Sequence, residues 1–114
     1  MRMRLAAFAL ALTALAGCGP VQATATISDG EVALEKARTA QAQKYAIYNY
    51  TLAELYLHKA KEEAGYADFG TATDLAEKAI TNADLASQKA ARALSEQSGG
   101  GPNAPVAPMQ VTPK

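Results

Sequence analysis

The sequence predicts an all-α protein: an antiparallel two-helix hairpin set between a disordered N-terminal tether and a Pro/Gly-rich C-terminal tail. Three observations support this fold class. No proline interrupts the chain between Pro20 and Pro102. Ala, Leu, Glu, Lys and Gln, all good helix formers, dominate residues 31–64 and 71–97. Apolar–polar alternation of period two, the mark of a strand, is absent from both stretches.

The elements follow in chain order. Residues 1–17 place Arg2 and Arg4 ahead of an Ala-, Leu- and Phe-rich run that ends in small residues before Cys18. Such a layout is that of a signal peptide, and the run falls short of the ~20 residues a membrane-spanning helix needs. Residues 18–27 are small, polar and unpatterned, and read as a tether. A helical domain is expected over 28–97. Ser28-Asp29-Gly30-Glu31 has the S-x-x-E form of a capping box. From there one continuous helix is expected to Ala64, about 35 residues and roughly 50 Å long, with Gly65 as its stop. The stretch GYADFG, residues 65–70, reads as a turn, and Thr71-x-x-Asp74 as the start of a second helix ending near Gln97. So short a connection makes the two helices antiparallel neighbours. Residues 98–114 hold three consecutive glycines and four of the chain's five prolines, a composition expected to stay disordered. Pro105 and Pro108 form a P-x-x-P spacing, which leaves a docking peptide as the alternative for this tail.

The two helices differ in their faces. In the second, Ala72, Leu75, Ala76, Ala79, Ala83, Ala86, Ala90, Ala93 and Leu94 share one side, opposite Asp74, Glu77, Lys78, Asp84, Gln88 and Arg92. An alanine face lets a partner helix approach closely. The first helix carries two apolar stripes. Tyr45, Tyr48, Leu52, Leu55 and Tyr56 make one; Ala46, Tyr50, Ala53 and Leu57 make another well round the helix. One alanine-faced partner cannot cover both, and a lone hairpin of this size is marginal. Tyr45, Tyr48, Tyr50, Leu52, Leu55, Tyr56 and Leu57 are therefore the candidate packing or partner-binding residues.

Little in the chain points to chemistry. Eleven basic and eleven acidic residues balance, and removal of Arg2 and Arg4 with the leader leaves a formal charge of −2. Nothing electrostatic favours nucleic acid. Glu54, the only histidine His58, and Glu62 are spaced four apart, but a metal site would need a second His or a Cys. No nucleophile–base pattern or phosphate-binding glycine loop appears, so no catalytic residue, metal or cofactor is expected.

Leu15-Ala16-Gly17-Cys18 resembles the lipobox of bacterial lipoproteins. The resemblance implies cleavage before Cys18 and a covalent lipid on that residue, the chain's only cysteine. Two or more acyl chains give stable anchoring. Gly19 follows, where an Asp would resemble an inner-membrane retention signal. The implied location is the outer membrane, facing the periplasm, in a Gram-negative cell, and otherwise the extracellular face of the cell membrane.

Residues 45–80 resemble the bacterial lipoprotein group called domain-of-unknown-function family 4398. Its pattern appears as a tyrosine-rich approach, then Ala53 to Ala60 (A-x-L-Y-L-x-K-A), Glu62 to Phe69 (E-E-A-G-x-x-D-F), and Ala72 with Lys78 and Ala79. Many relatives look like lipoproteins that continue into a peptidoglycan-gripping OmpA-like domain. This sequence runs instead into its Pro/Gly tail, so peptidoglycan binding does not carry over. Ala60, Phe69, Ala72 and Ala79 are also spaced as in a single tetratricopeptide-like hairpin, whereas arrays need three or more repeats. The expected role is that of a membrane-anchored envelope lipoprotein with a structural or adaptor function, through self-association or another envelope protein. The alternative is a periplasmic small-molecule or peptide binding module that uses the tyrosine face.

Overall fold

The computed structural model describes residues 18–99. The signal-type segment 1–17, including Leu15, Ala16 and Gly17, lies outside the described residues, as does the tail from 100 to 114. Four helices make up the described residues: α1 (Cys18–Thr39), α2 (Ala42–Tyr45), α3 (Ile47–Gly65) and α4 (Phe69–Gln97). The all-α expectation holds.

The two-helix hairpin does not. α1, α3 and α4 pack on one another as an up-down-up bundle. Gly30 of α1 lies beside Leu57 of α3, Glu31 pairs with Lys61, and Arg38 reaches Tyr50, an antiparallel order. Asn49 reaches Lys89 and Tyr56 lies beside Lys78, so α3 and α4 are antiparallel as well.

The expected continuous helix over 31–64 reverses between Ala40 and Ala46, and its phase explains why. At about 100° per residue, the stripe Gly30–Ala33–Ala37 and the stripe Ala46–Tyr50–Ala53–Leu57 would point roughly 160° apart on one unbroken helix. A reversal lets both face one interior. Gln41 makes the corner in the left-handed region (φ 61, ψ 31), and Ala46 departs from helical geometry (φ −143, ψ 46). Nε of Arg38 and Nε2 of Gln43 both donate to the Tyr50 hydroxyl, at 3.3 and 3.2 Å, closing the corner. A left-handed residue with a Cβ is disfavoured. Gln41→Gly is accordingly expected to raise stability by about 0.5–1 kcal/mol, read from the midpoint of urea unfolding; a lowered midpoint would contradict this corner.

Residues 18–27, expected as a tether, are the first turns of α1. Tertiary packing overrides their weak local preference. Ala23 is fully buried, and a Cβ added at Gly19 would lie 3.6 Å from Phe69 Cβ. Pro20 falls in the first turn, where no amide donor is required. Ser28 and Glu31, the expected capping box, therefore lie inside a helix. Lys36 and Arg38 occupy its last turn, where cations complement the helix dipole.

Gly65 ends α3 as expected. α4 begins two residues before Thr71, because Asp68 is its cap: Oδ1 accepts the Thr71 amide at 3.1 Å. That backbone bond, and then the Thr71 side chain, hold the Asp68 carboxyl below its ordinary range. A depressed folded-state pKa means stabilisation that is present above the unfolded value of about 3.9 and lost as pH falls through the folded one. Wild type is expected to melt above Asp68→Asn at neutral pH, with the gap closing below about pH 4. Thermal melts of both across that range check it, and a constant gap would show that the charge plays no part.

The interior is built of alanine. Ala72, Ala76, Ala79, Ala83, Ala86 and Ala90 of α4 are each at most 1% exposed, and Leu75, Ala93 and Leu94 border them half-buried. Ala23, Ala33 and Ala37 of α1, Ala46 at the corner, and Ala53 and Ala60 of α3 are buried with them. Such small side chains set axes near the lower end of the usual ~8–10 Å separation. Gly30 marks a particularly close approach, since a Cβ there would lie 2.9 Å from Leu57 Cδ1.

Candidate functional site

The seven candidate residues of the aromatic segment divide three ways. Tyr50 and Leu57 are interior, each 4% exposed, so α1 covers the stripe that needed a second partner. Substituting either one tests the fold rather than an association surface. Tyr45, Leu52 and Tyr56 are half-buried. Along the seam with α4, the Tyr45 hydroxyl donates to Gln97 Oε1 at 3.2 Å, and Lys78 Nζ stands 5.9 Å from the centre of the Tyr56 ring. Lys44 Nζ lies 5.0 Å from the centre of the Tyr45 ring. Tyr48 and Leu55 face outward, 73% and 60% exposed. They are seven residues apart, two turns along one side of α3.

Charged groups on α3 are largely paired with one another. Lys59 bonds Glu63 at 3.0 Å and Glu62 at 3.1 Å, and these bonds, Glu63 first, raise its ammonium above the ordinary range. Glu62 is thus engaged with Lys59 rather than with His58, which is exposed. No group of three His, Cys, Asp or Glu side chains placed to hold a metal occurs among the described residues.

A polar cluster inside the α3–α4 seam escaped the sequence reading. Asn49 is 6% exposed; its amide donates to Asn82 Oδ1 at 3.0 Å and its oxygen accepts from Lys89 Nζ at 2.6 Å. Asn82 in turn donates to the Lys78 carbonyl at 2.9 Å. Buried polar groups need such partners, and this set fixes the register of α3 on α4. The available sign was Asn49 itself, a lone amide in an apolar run.

Cys18 is an exposed free thiol at the first residue of α1. Ala60, Ala72 and Ala79 are buried where α3 and α4 pack around their turn, with Phe69 half-buried beside them. A depression on α4 lined by Asp74, Glu77, Lys78, Thr81 and Asn82 is wide open to solvent and of mixed charge. No helix among the described residues is long and apolar enough to cross a membrane.

An alanine-seamed helical bundle with one aromatic helix face is the class these features define. The family model described as "Domain of unknown function (DUF4398)" matches residues 25–99, from within α1 to just past α4. The chain belongs to that family. The match extends well beyond the motif-bearing residues 45–80. No curated relative and no solved structure matches the chain.

Proposed function

We propose that this protein is a non-catalytic envelope lipoprotein, anchored by acyl chains on Cys18, that serves a structural or adaptor role. Its partner surface is the outer side of α3. In a Gram-negative cell it would face the periplasm from the outer membrane. The observation that carries the adaptor role is the pair Tyr48 and Leu55, outward-facing and bordered by half-buried Leu52. Aromatic and aliphatic side chains grouped on one helix side suit protein–protein contact. A ligand-groove role has less support, because Tyr50 lies inside the bundle and the Tyr45 hydroxyl is taken by Gln97. The anchor rests on Leu15-Ala16-Gly17-Cys18 together with the exposure of the thiol.

Three measurements test this, one the anchor and two the adaptor role. Cys18→Ser is expected to leave the precursor uncleaved and lipid-free by mass spectrometry; a normally lipidated product would refute the anchor. Sedimentation equilibrium over a concentration series is expected to show association that Tyr48→Ala/Leu55→Ala abolishes while the far-UV circular dichroism stays unchanged. If wild type is monomeric, photocrosslinking from position 48 in cell envelopes should capture a different protein. Failure of both would end the adaptor reading.

A further inference from the structure

We infer that the end of the bundle holding Cys18 is itself a membrane-contacting foot, with Tyr66, Val21 and Phe69 seated among lipid headgroups. The inference rests on Cys18 being acylated as proposed above. The up-down-up order brings the start of α1 and the α3–α4 turn to the same end, where Gly19 lies against Phe69. Cys18 is itself within α1, so no slack chain separates a lipid there from the packed body.

The surface at that end is apolar and aromatic. Tyr66 is 74% exposed and Val21 70%, Ala67 is exposed, and Phe69 is half-buried. The turn between α3 and α4 is Tyr66-Ala67-Asp68, and its one charged residue is the cap of α4. Surface turns more often carry polar side chains, and nothing within the bundle needs Tyr66 there. Tyrosine favours the bilayer interface, with its ring among the acyl–glycerol groups and its hydroxyl in water.

Nearby acidic groups are engaged within the chain. The Asp68 carboxylate is turned to the Thr71 amide. Glu62 and Glu63 share Lys59, and Glu31 pairs with Lys61 at 2.6 Å. The occupant is therefore a lipid surface, continuous with the anchor, rather than an acidic or basic protein.

The chain contains no tryptophan, so one introduced indole reports alone. Full-length protein carrying Tyr66→Trp, and separately Tyr48→Trp on the side of the bundle, is purified from membranes and reconstituted in phosphatidylethanolamine–phosphatidylglycerol vesicles. Brominated acyl chains serve as quenchers. The expected result is a blue-shifted, strongly quenched emission for Tyr66→Trp and unquenched emission for Tyr48→Trp. Unquenched Tyr66→Trp in protein that mass spectrometry shows to be lipidated and that floats with the vesicles would overturn the foot while leaving the anchor intact. Protein without lipid on Cys18 would overturn the anchor, and the foot with it.

Discussion

Tyr50→Ala is expected to cost about 3–5 kcal/mol of stability, lowering the melting temperature by roughly 12–40 °C at some 4–8 °C per kcal/mol for a domain of this size. Tyr50 is the large side chain in a buried cluster otherwise made of Ala33, Ala37, Ala42, Ala46, Ala53, Ala83, Ala86 and Ala90. The alanines have no rotamers with which to refill the space, and only Leu34, Tyr45 and Ile80 at its edge could shift toward it, so much of the cavity persists. The corner loses its clasp as well, since Arg38 and Gln43 both donate to the hydroxyl. Tyr50→Phe keeps the ring and should lose only a small part of the stability. Thermal melts followed by circular dichroism compare the three proteins. Near-equal melting of wild type and Tyr50→Ala would mean that α1 does not pack across α3 as described.

Ala83→Leu is the second large effect, about 3 kcal/mol of destabilisation. Ala83 is fully buried near the middle of α4 and belongs to the same cluster as Tyr50. Larger side chains in a well-packed core force neighbours off their rotamers or backbones apart, and alanine neighbours leave only the second course. Ala91→Leu, on the exposed side of the same helix, is the control and should lie within about 0.5 kcal/mol of wild type. Urea unfolding measures both. Equal midpoints for the two variants would show that the alanine face is not closely covered.

Helix type was legible because α4 carries one unambiguous alanine stripe and because Gly65 is an ordinary helix stop, whereas the cap at Asp68 was missed and the start of α4 placed at Thr71. The corner at Gln41 was not. Residues 40–46 are helix formers without Gly or Pro, and the force that bends them is the burial of two stripes lying on opposite sides of a straight helix. Only the relative phase of those stripes recorded it. Residues 18–27 failed for a related reason: Gly19, Val21, Thr24 and Thr26 favour a helix only weakly, and the segment becomes helical through the packing of Gly19 and Ala23. Within the candidate site, the tyrosines were found by composition, but their spacing put Tyr48 and Leu55 in a packing seam. The structure turns those two outward and Tyr50 and Leu57 inward, because α1 docks on the side that the sequence left without a partner.

The alanine interior also sets how this bundle responds to temperature. No large side chain among the described residues is completely buried, so unfolding uncovers less apolar surface per residue than in a leucine-packed core. The heat capacity increment of unfolding scales with that surface. It should therefore fall below the usual ~12–15 cal/mol/K per residue, giving a broad, shallow stability curve that varies little between cold and warm surroundings.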